Sequence, residues 1–272
     1  MQHRLEPNPL EQAYYFEVPG AHLYTVLHSV TDPVARVLLV GPFASERQNS
    51  YGPWVRWARY LAERHIEVLR YDYRGIGEST GDFAEMSFAD WHEDVLLLTE
   101  WMSRRFPAVP LLLHGLEIGA ILAGKAFHAG IGDALLLWSP PTNANAALRT
   151  TLLRWMGLLQ LLRYSEERKT ASDCIRELEQ GLSIEVEGYQ WSPKLWRDSF
   201  NFELPPAMNN EEASMQKYRR PVKSIILAAN AAPLAKKGIV GGGDEIRDLS
   251  WLYSDNFEWM NGAVASFVGG GQ

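Results

Sequence analysis

The sequence lacks several features that would assign it to particular protein classes. It contains one cysteine, Cys174, which excludes an internal disulfide framework and suits a reducing compartment. It has no basic run, and its net charge of −7 disfavours nucleic acid as a partner, because binding to phosphates depends on cationic side chains. No apolar run approaches the roughly 18 residues that a membrane span requires. Residues 1–16 resemble no secretory signal, so we expect a soluble, cytoplasmic protein.

What the sequence does contain is typical of a globular protein. Its 272 residues are 46% hydrophobic and 22% charged, enough for one large α/β domain with an insertion or for two small domains. No histidine or second cysteine lies near Cys174 in sequence, and we interpret that residue as structural, within a helix. We expect no metal site and no cofactor. The sequence carries no signal for an oligomeric state.

The first half of the chain alternates strand-like and helix-like segments, which predicts a mostly parallel, doubly wound α/β sheet. Residues 14–18 and 22–28 predict an opening hairpin. Buried strands are expected at 36–40, 66–71, 109–114 and 134–138, and helices at 51–64, 88–106 and 118–128. A further strand is predicted at 222–228, and residues 249–253 are a candidate for the last one.

The segment between residues 142 and 211 has a different pattern, with charged helical periodicity and one strand-like stretch at 183–187. An insertion here would cover the carboxyl end of the sheet, where open α/β sheets bind ligands. We therefore expect a core of residues 1–141 and 212–272 and an inserted helical cap of residues 142–211, with a small-molecule ligand under the cap. The aromatic residues of this segment are either core or the wall of an apolar or carbohydrate-binding pocket: Tyr164, Tyr189, Trp191, Trp196, Phe200 and Phe202.

The most informative motif is Gly115-Leu116-Glu117-Ile118-Gly119, which follows a predicted strand and opens a helix rich in small residues. In a nucleophile elbow, a strained turn between strand and helix, both glycines are needed and the central residue carries the attacking group. Serine is usual at the centre, and here the residue is Glu117. The motif therefore predicts an elbow without a hydroxyl.

Together with two loops, the elbow resembles the α/β-hydrolase superfamily, in its serine aminopeptidase-like branch. The loops are residues 41–47 and residues 71–83, in which Asp72 and Arg74 are expected to brace the backbone. Within the superfamily the chain is similar to the exosortase-A-system-associated hydrolases. That resemblance rests on Pro42–Glu46, on Gly81-Asp82-Phe83, on the elbow, and on residues 137–140 and 186–189. It implies an α/β-hydrolase fold in a family that does not reliably keep the serine.

The resemblance also implies the position of an oxyanion hole. The loop after the third strand supplies one backbone N–H, and the residue after the nucleophile supplies the other. Here the donors would be Phe43 or Ala44, together with Ile118, since Pro42 has no N–H.

A complete serine triad on this fold also needs an acid and then a histidine after the elbow. All seven histidines come no later than the elbow helix: His3, His22, His28, His65, His92, His114 and His128. The strand at 222–228 is not followed by the expected acid. Four later acidic residues could act as the acid of the triad only if the last strand is displaced: Asp244, Glu245, Asp248 and Asp255. One hypothesis for the glycine-rich end at 269–272 is a natural truncation that removed the histidine.

Two functional hypotheses follow. In the first, the protein is a degenerate hydrolase that serves as a binding or accessory protein. Glu117 is then a fixed negative charge at a helix N-terminus, which fills the oxyanion hole or holds a cationic or hydroxyl-bearing ligand. In the second, it is an active hydrolase of esters or related small substrates, using Glu117 or another site. Glu46 either joins Glu117 as an acid/base pair or is solvated or paired with Arg47.

Overall fold

The computed structural model describes residues 11–162, 169–226 and 250–269. The strands are β1 (Glu11–Val18), β2 (Ala21–His28), β3 (Ala35–Val40), β4 (Ile66–Tyr71), β5 (Leu111–Leu116), β6 (Ala134–Trp138), β7 (Ile184–Val186), β8 (Tyr189–Trp191) and β9 (Val222–Ile225). The helices are α1 (Ala44–Ala62), α2 (Phe88–Arg105), α3 (Ile118–His128), α4 (Ala144–Leu162), α5 (Ala171–Glu179), α6 (Pro193–Asp198), α7 (Glu211–Tyr218) and α8 (Ser250–Gly269).

Seven strands form one sheet in the order β1-β2-β4-β3-β5-β6-β9. The first two are an antiparallel hairpin, β2 pairs antiparallel with β4, and the remaining neighbours are parallel. The inner strands β3 and β6 are buried along their whole length, as expected for parallel strands covered on both faces. This arrangement confirms the predicted α/β fold and its mostly parallel sheet.

Alternate side chains of the inner strands enter two separate hydrophobic cores. Leu38 and Leu113 face the core formed with α2, α3 and the segment after β6. Leu39 and Leu112 face the opposite core, formed with α1 and α8. The sheet is therefore covered by helices on both sides, and its carboxyl end is free to carry loops.

The described residues between β6 and β9 form helices α4 to α7 and the separate hairpin of β7 and β8. The strand-like stretch at 183–187 corresponds to β7. Trp191, Trp196 and Phe202 are buried, so for these three residues the core interpretation is correct, whereas Phe200 is 52% exposed. Tyr164 lies outside the described residues.

Several predicted boundaries need correction. Residues 250–253 lie in helix α8, so the candidate last strand at 249–253 is wrong. A short apolar run does not distinguish strand from buried helix. Helix α1 begins at Ala44, earlier than expected, and continues through Pro53. The end of the predicted strand at Ala228 lies outside the described residues, as do residues 238–243 and 270–272.

Among the described helices, none is long and apolar enough to cross a lipid bilayer.

Candidate active site

The turn between β5 and α3 has the geometry of a nucleophile elbow. Glu117, at its apex, has φ 52° and ψ −125°, a conformation that residues other than glycine rarely adopt. Its N–H donates to the carbonyl of Trp138 on β6 at 2.9 Å, and its carbonyl accepts from Ala120 N–H at 2.9 Å. The strained apex is thus fixed to the neighbouring strand and to the first turn of α3.

The two glycines of the motif allow the backbone to pack this closely. A Cβ at Gly115 would lie 2.3 Å from Cα of Ala120. A Cβ at Gly119 would lie 2.2 Å from the carbonyl oxygen of Val40 and 2.4 Å from that of Gly41. Since real Cβ atoms do not approach backbone this closely, α3 can start beside the end of β3 only with glycine at 119.

Glu117 opens into a cavity of about 300 Å³ at the carboxyl end of the sheet. Four parts of the chain supply its walls: the loop after β3 with the start of α1, the elbow, the loop after β6, and helix α4. The lining residues are Pro42, Phe43, Glu46, Glu117, Ile118, Pro141, Ala147, Thr150, Thr151 and Arg154. The volume suits a small organic molecule.

Arg154 of α4 connects the segment after β6 to the core. Its guanidinium donates to the carboxylate of Glu46 on α1 and, at 3.1 Å, to Glu187 in the turn between β7 and β8. The alternative that Glu46 is solvated or paired with Arg47 is therefore wrong. Arg47 instead makes two bonds to Asp72, at 3.0 and 2.6 Å.

The environment of Glu117 favours its neutral form. Burial raises the pKa of this carboxyl to about 7, and repulsion from Glu46 acts in the same direction, while Arg154 opposes both. The side chain is half-buried. Near neutral pH the cavity therefore contains both the carboxylic acid and the carboxylate form of Glu117.

The Glu117 carboxylate accepts no hydrogen bond from the backbone N–H groups at the start of α3. The structure thus contradicts the hypothesis that this carboxylate fills the oxyanion hole. Phe43 and Ile118 both line the cavity, and both residues are almost fully buried. Neither backbone N–H donates a hydrogen bond to a described residue. Ala44 follows Phe43 as the first residue of α1.

No described histidine lines this cavity. His114, three residues before Glu117, lies on the other face of the sheet, where its ring centroid is 4.5 Å from that of Trp138. Its Nδ1 is 3.0 Å from the carbonyl of Leu136, and burial lowers its pKa to about 3. This histidine is a core residue. His3 lies outside the described residues.

Of the four acids considered as triad members, the one that the structure describes does not line the cavity. Asp255 is exposed on α8, and Asp244, Glu245 and Asp248 lie outside the described residues. The described residues contain no group of three His, Cys, Asp or Glu side chains that could hold a metal ion. Cys174 is a buried free thiol on α5, in contact with Met156, which agrees with a structural role.

The prediction that Asp72 and Arg74 brace the loop after β4 is confirmed. Asp72 accepts from Arg47 and, at 3.0 Å, from the N–H of Glu78. Arg74 donates through two nitrogens to the buried carboxylate of Asp94 on α2. Both residues therefore hold backbone in place next to the site.

Helix α4 supplies the polar lining residues that sequence reasoning missed: Thr150, Thr151 and Arg154. Arg154 is 108 residues from its partner Glu46, so no local pattern connects them. The one signal in the sequence was the presence of two arginines, Arg149 and Arg154, among the leucines of residues 148–162.

Comparisons with known proteins agree with this geometry. A family model described as "Serine aminopeptidase, S33" matches residues 24–180. No curated protein matches the chain.

Solved structures show the fold. Est1E from Butyrivibrio proteoclasticus, solved with ferulic acid bound, is 16% identical over 93% of this chain and 100% of that one, with a TM-score of 0.60. The α/β-hydrolase GrgF from Penicillium sp. sh18 is 16% identical over 94% and 97%, with a TM-score of 0.53. An α/β serine hydrolase without a lid, from Xanthomonas campestris, is 23% identical with a TM-score of 0.42. That match covers 51% of this chain, which spans 64% of that protein.

Proposed function

This chain belongs to the serine aminopeptidase S33 family of α/β-hydrolases, and from that premise we propose that it binds a small molecule without hydrolysing it. One observation carries the proposal: a carboxyl group, Glu117, is at the elbow position facing the cavity. Loss of the serine or the histidine of a serine protease triad lowers kcat roughly a millionfold. An acyl-enzyme on serine cannot form at an elbow that has no hydroxyl.

The rest of the cavity supports binding. Phe43 and Ile118 are proposed as the oxyanion-hole donors, and both N–H groups are free of described partners. Residues 142–211 are proposed as the cap over the core, because α4 contributes Thr150, Thr151 and Arg154 to the cavity. A ligand in this cavity would contact the core on one side and α4 on the other.

An esterase assay tests the proposal. p-Nitrophenyl acetate and butyrate are incubated with the wild type and with Glu117→Ala, and a fluorophosphonate probe is applied to both. We expect hydrolysis at the buffer rate and no labelling of the elbow peptide. Turnover that disappears in Glu117→Ala would overturn the proposal, and turnover that persists in the variant would place chemistry at another site.

The alternative, an active hydrolase, is favoured by one specific observation. The raised pKa of Glu117, about 7, is that of an effective general acid or base near neutral pH. Glutamate as nucleophile is disfavoured, because its extra methylene relative to aspartate displaces the attacking oxygen. Mass spectrometry after incubation with epoxides and haloalkanes tests this alternative: an ester adduct on Glu117 would support it, and unmodified protein throughout would reject it.

We also propose that the chain is an exosortase-A-associated member of the family, acting in the cytoplasm. The support is the set of motifs at Pro42–Glu46, Gly81-Asp82-Phe83 and the elbow. Co-occurrence of the gene with an exosortase gene across genomes tests the association, and independent distribution would contradict it.

A further inference from the structure

A second cavity lies between helix α1 and the end of strand β4. Its volume of about 30 Å³ exceeds the roughly 10–15 Å³ that one water molecule needs, so it has room for a monatomic ion or a small planar group. It shares the lining residue Pro42 with the larger cavity beside Glu117 and is otherwise lined by different residues. Its charged and phenolic lining residues include Arg47, Tyr51, Arg70 and Asp72. The two cavities can therefore have different occupants.

Arg70 brings a positive charge to this cavity without a carboxylate partner. The residue is half-buried, and no described acidic residue forms an ion pair with it. Its Nε donates to Nε2 of His28 at 3.3 Å, and its Nη1 donates to the hydroxyl of Tyr51 at 3.3 Å. Burial lowers the pKa of His28 to about 4, and the charge of Arg70 acts in the same direction, so this ring is neutral near neutral pH. Both acceptors of Arg70 are thus uncharged groups.

The carboxylates around Arg70 are bound to other arginines. Asp72, in the lining of the cavity, accepts from Arg47 at 3.0 and 2.6 Å. Glu11 accepts from Arg59 at 2.5 and 3.1 Å. Those hydrogen bonds lower the pKa of Glu11, and the charge of Arg70 also lowers it, which places Arg70 within the electrostatic reach of this pair. Three arginines therefore share two carboxylates, and one positive charge remains in excess.

The ring of Tyr51 lies beside both arginines of the cavity. The Cζ atoms of Arg47 and Arg70 are 5.4 and 5.6 Å from its centroid. A half-buried guanidinium loses part of its hydration, which is why buried charges are normally paired. Water hydrates such a charge without neutralising it, and a cation would add to the excess. A negative charge balances it, and the attraction is weakly screened in a partly buried cavity.

We propose that this cavity binds a small monovalent anion, such as chloride, nitrate or formate, whose charge balances that of Arg70. One negative charge matches the excess of one, whereas sulfate would bring a second charge that no described cation balances. The bound anion connects α1 with the end of β4 and stabilises the folded protein by mass action. The site is independent of the proposed function, since Glu117 does not line it.

Chloride NMR line widths in the presence of the protein test the proposal. Arg70→Met removes the unbalanced charge, and Val55→Phe places a larger side chain in the cavity wall without changing any charge. The matched control is Arg104→Gln, which removes an arginine whose side chain is 75% exposed on α2. Wild type and Arg104→Gln should broaden the chloride signal equally and saturably. Arg70→Met and Val55→Phe should each bind chloride at least tenfold more weakly, the size of one lost hydrogen bond to a charged group.

Competition distinguishes the anions. Nitrate and formate should each displace chloride, and sulfate should displace it less well at equal concentration. Stronger displacement by sulfate would overturn the monovalent assignment. Equal chloride binding by the wild type and Arg70→Met, or by the wild type and Val55→Phe, would overturn the site itself.

Bromide-soaked crystals of the wild type provide a test that does not depend on the folding of any variant. We expect an anomalous difference peak in the cavity, next to the guanidinium of Arg70 and the ring of Tyr51. Crystals soaked in molar sodium bromide without a peak there would overturn the proposal. Neither result bears on ester hydrolysis at Glu117, so the proposed function is tested separately.

Discussion

Glu117 combines an unusual backbone conformation with an unusual side-chain environment. The elbow requires φ 52°, a value that costs a non-glycine residue free energy, and the cavity withdraws the carboxyl from water. Both terms destabilise the fold unless something compensates, and sites of function are where such strain persists. The ionisation of this one residue should therefore be visible in the stability of the whole protein.

Replacing Glu117 by glutamine should change how stability depends on pH. The pKa of Glu117 is about 7 in the folded protein against 4.5 for a glutamate in water, so the folded state holds the proton more tightly. Its contribution is fully present below 4.5, declines as the pH rises towards 7, and is absent above that. Between about pH 4 and about pH 8 the wild type should lose roughly 1–3 kcal/mol of unfolding free energy relative to Glu117→Gln. Urea unfolding of both proteins measures this, and parallel pH curves would contradict it.

The two charged neighbours of Glu117 should shift its pKa in opposite directions. Arg154→Met removes the cation that stabilises the carboxylate, so the pKa of Glu117 should rise. Glu46→Gln removes a repelling carboxylate, so the pKa should fall. NMR titration of the carboxyl carbon of Glu117 measures both shifts, with Glu100→Gln as a distant control. Shifts of the same sign in the two variants would contradict the arrangement around Arg154.

At the residue scale, the sequence predicts what is local. The elbow residues are contiguous, and the strand before them and small residues after them identify the turn. The Arg154 contacts to Glu46 and Glu187 depend on how α4 lies over the sheet, which no short pattern encodes. Arg47 is an expected partner of Glu46 because the two residues are adjacent in sequence. In the structure the side chain of Arg47 instead forms an ion pair with Asp72.

At the scale of elements, the approach of α3 to β3 depends on one glycine. Gly119→Ala would place a Cβ 2.2 Å from the carbonyl oxygen of Val40, a contact that backbone must move to relieve. We expect a loss of roughly 3 kcal/mol or more in unfolding free energy. Gly157→Ala on α4 is the matched control, because its Cβ would meet nothing within 4 Å, and it should gain roughly 0.5–1 kcal/mol from helix propensity. Similar effects of the two substitutions in urea unfolding would show that the elbow is not tightly packed.

Prediction of elements succeeded where hydrophobic periodicity is long and failed where it is short. The strands at the centre of the sheet and helices α2 and α3 lie within a few residues of their predicted positions. Residues 249–253 were too short to reveal their period, and residues 250–253 are the start of the 20-residue helix α8. The helical spacing of apolar residues predicted a helix from residue 51, but α1 starts at Ala44. Tertiary contacts with the sheet outweigh local propensity there.

At the scale of the whole molecule, an α/β-hydrolase framework surrounds a cavity that we propose binds a ligand without hydrolysing it. The sheet places Glu117 at the turn between β5 and α3, and both Glu117 and Arg154 of α4 line the cavity at the carboxyl end of the sheet. Fold alone does not determine activity, since the site residues decide it. The central claim is therefore that this elbow presents an acid to a ligand and forms no acyl intermediate.

Pre-steady-state hydrolysis tests this claim most directly. p-Nitrophenyl butyrate is mixed in a stopped-flow instrument with wild type and Glu117→Gln at protein concentrations comparable to that of the ester. The account predicts no burst of p-nitrophenol and identical traces for the two proteins. A burst that matches the protein concentration in the wild type and is absent from Glu117→Gln would contradict it.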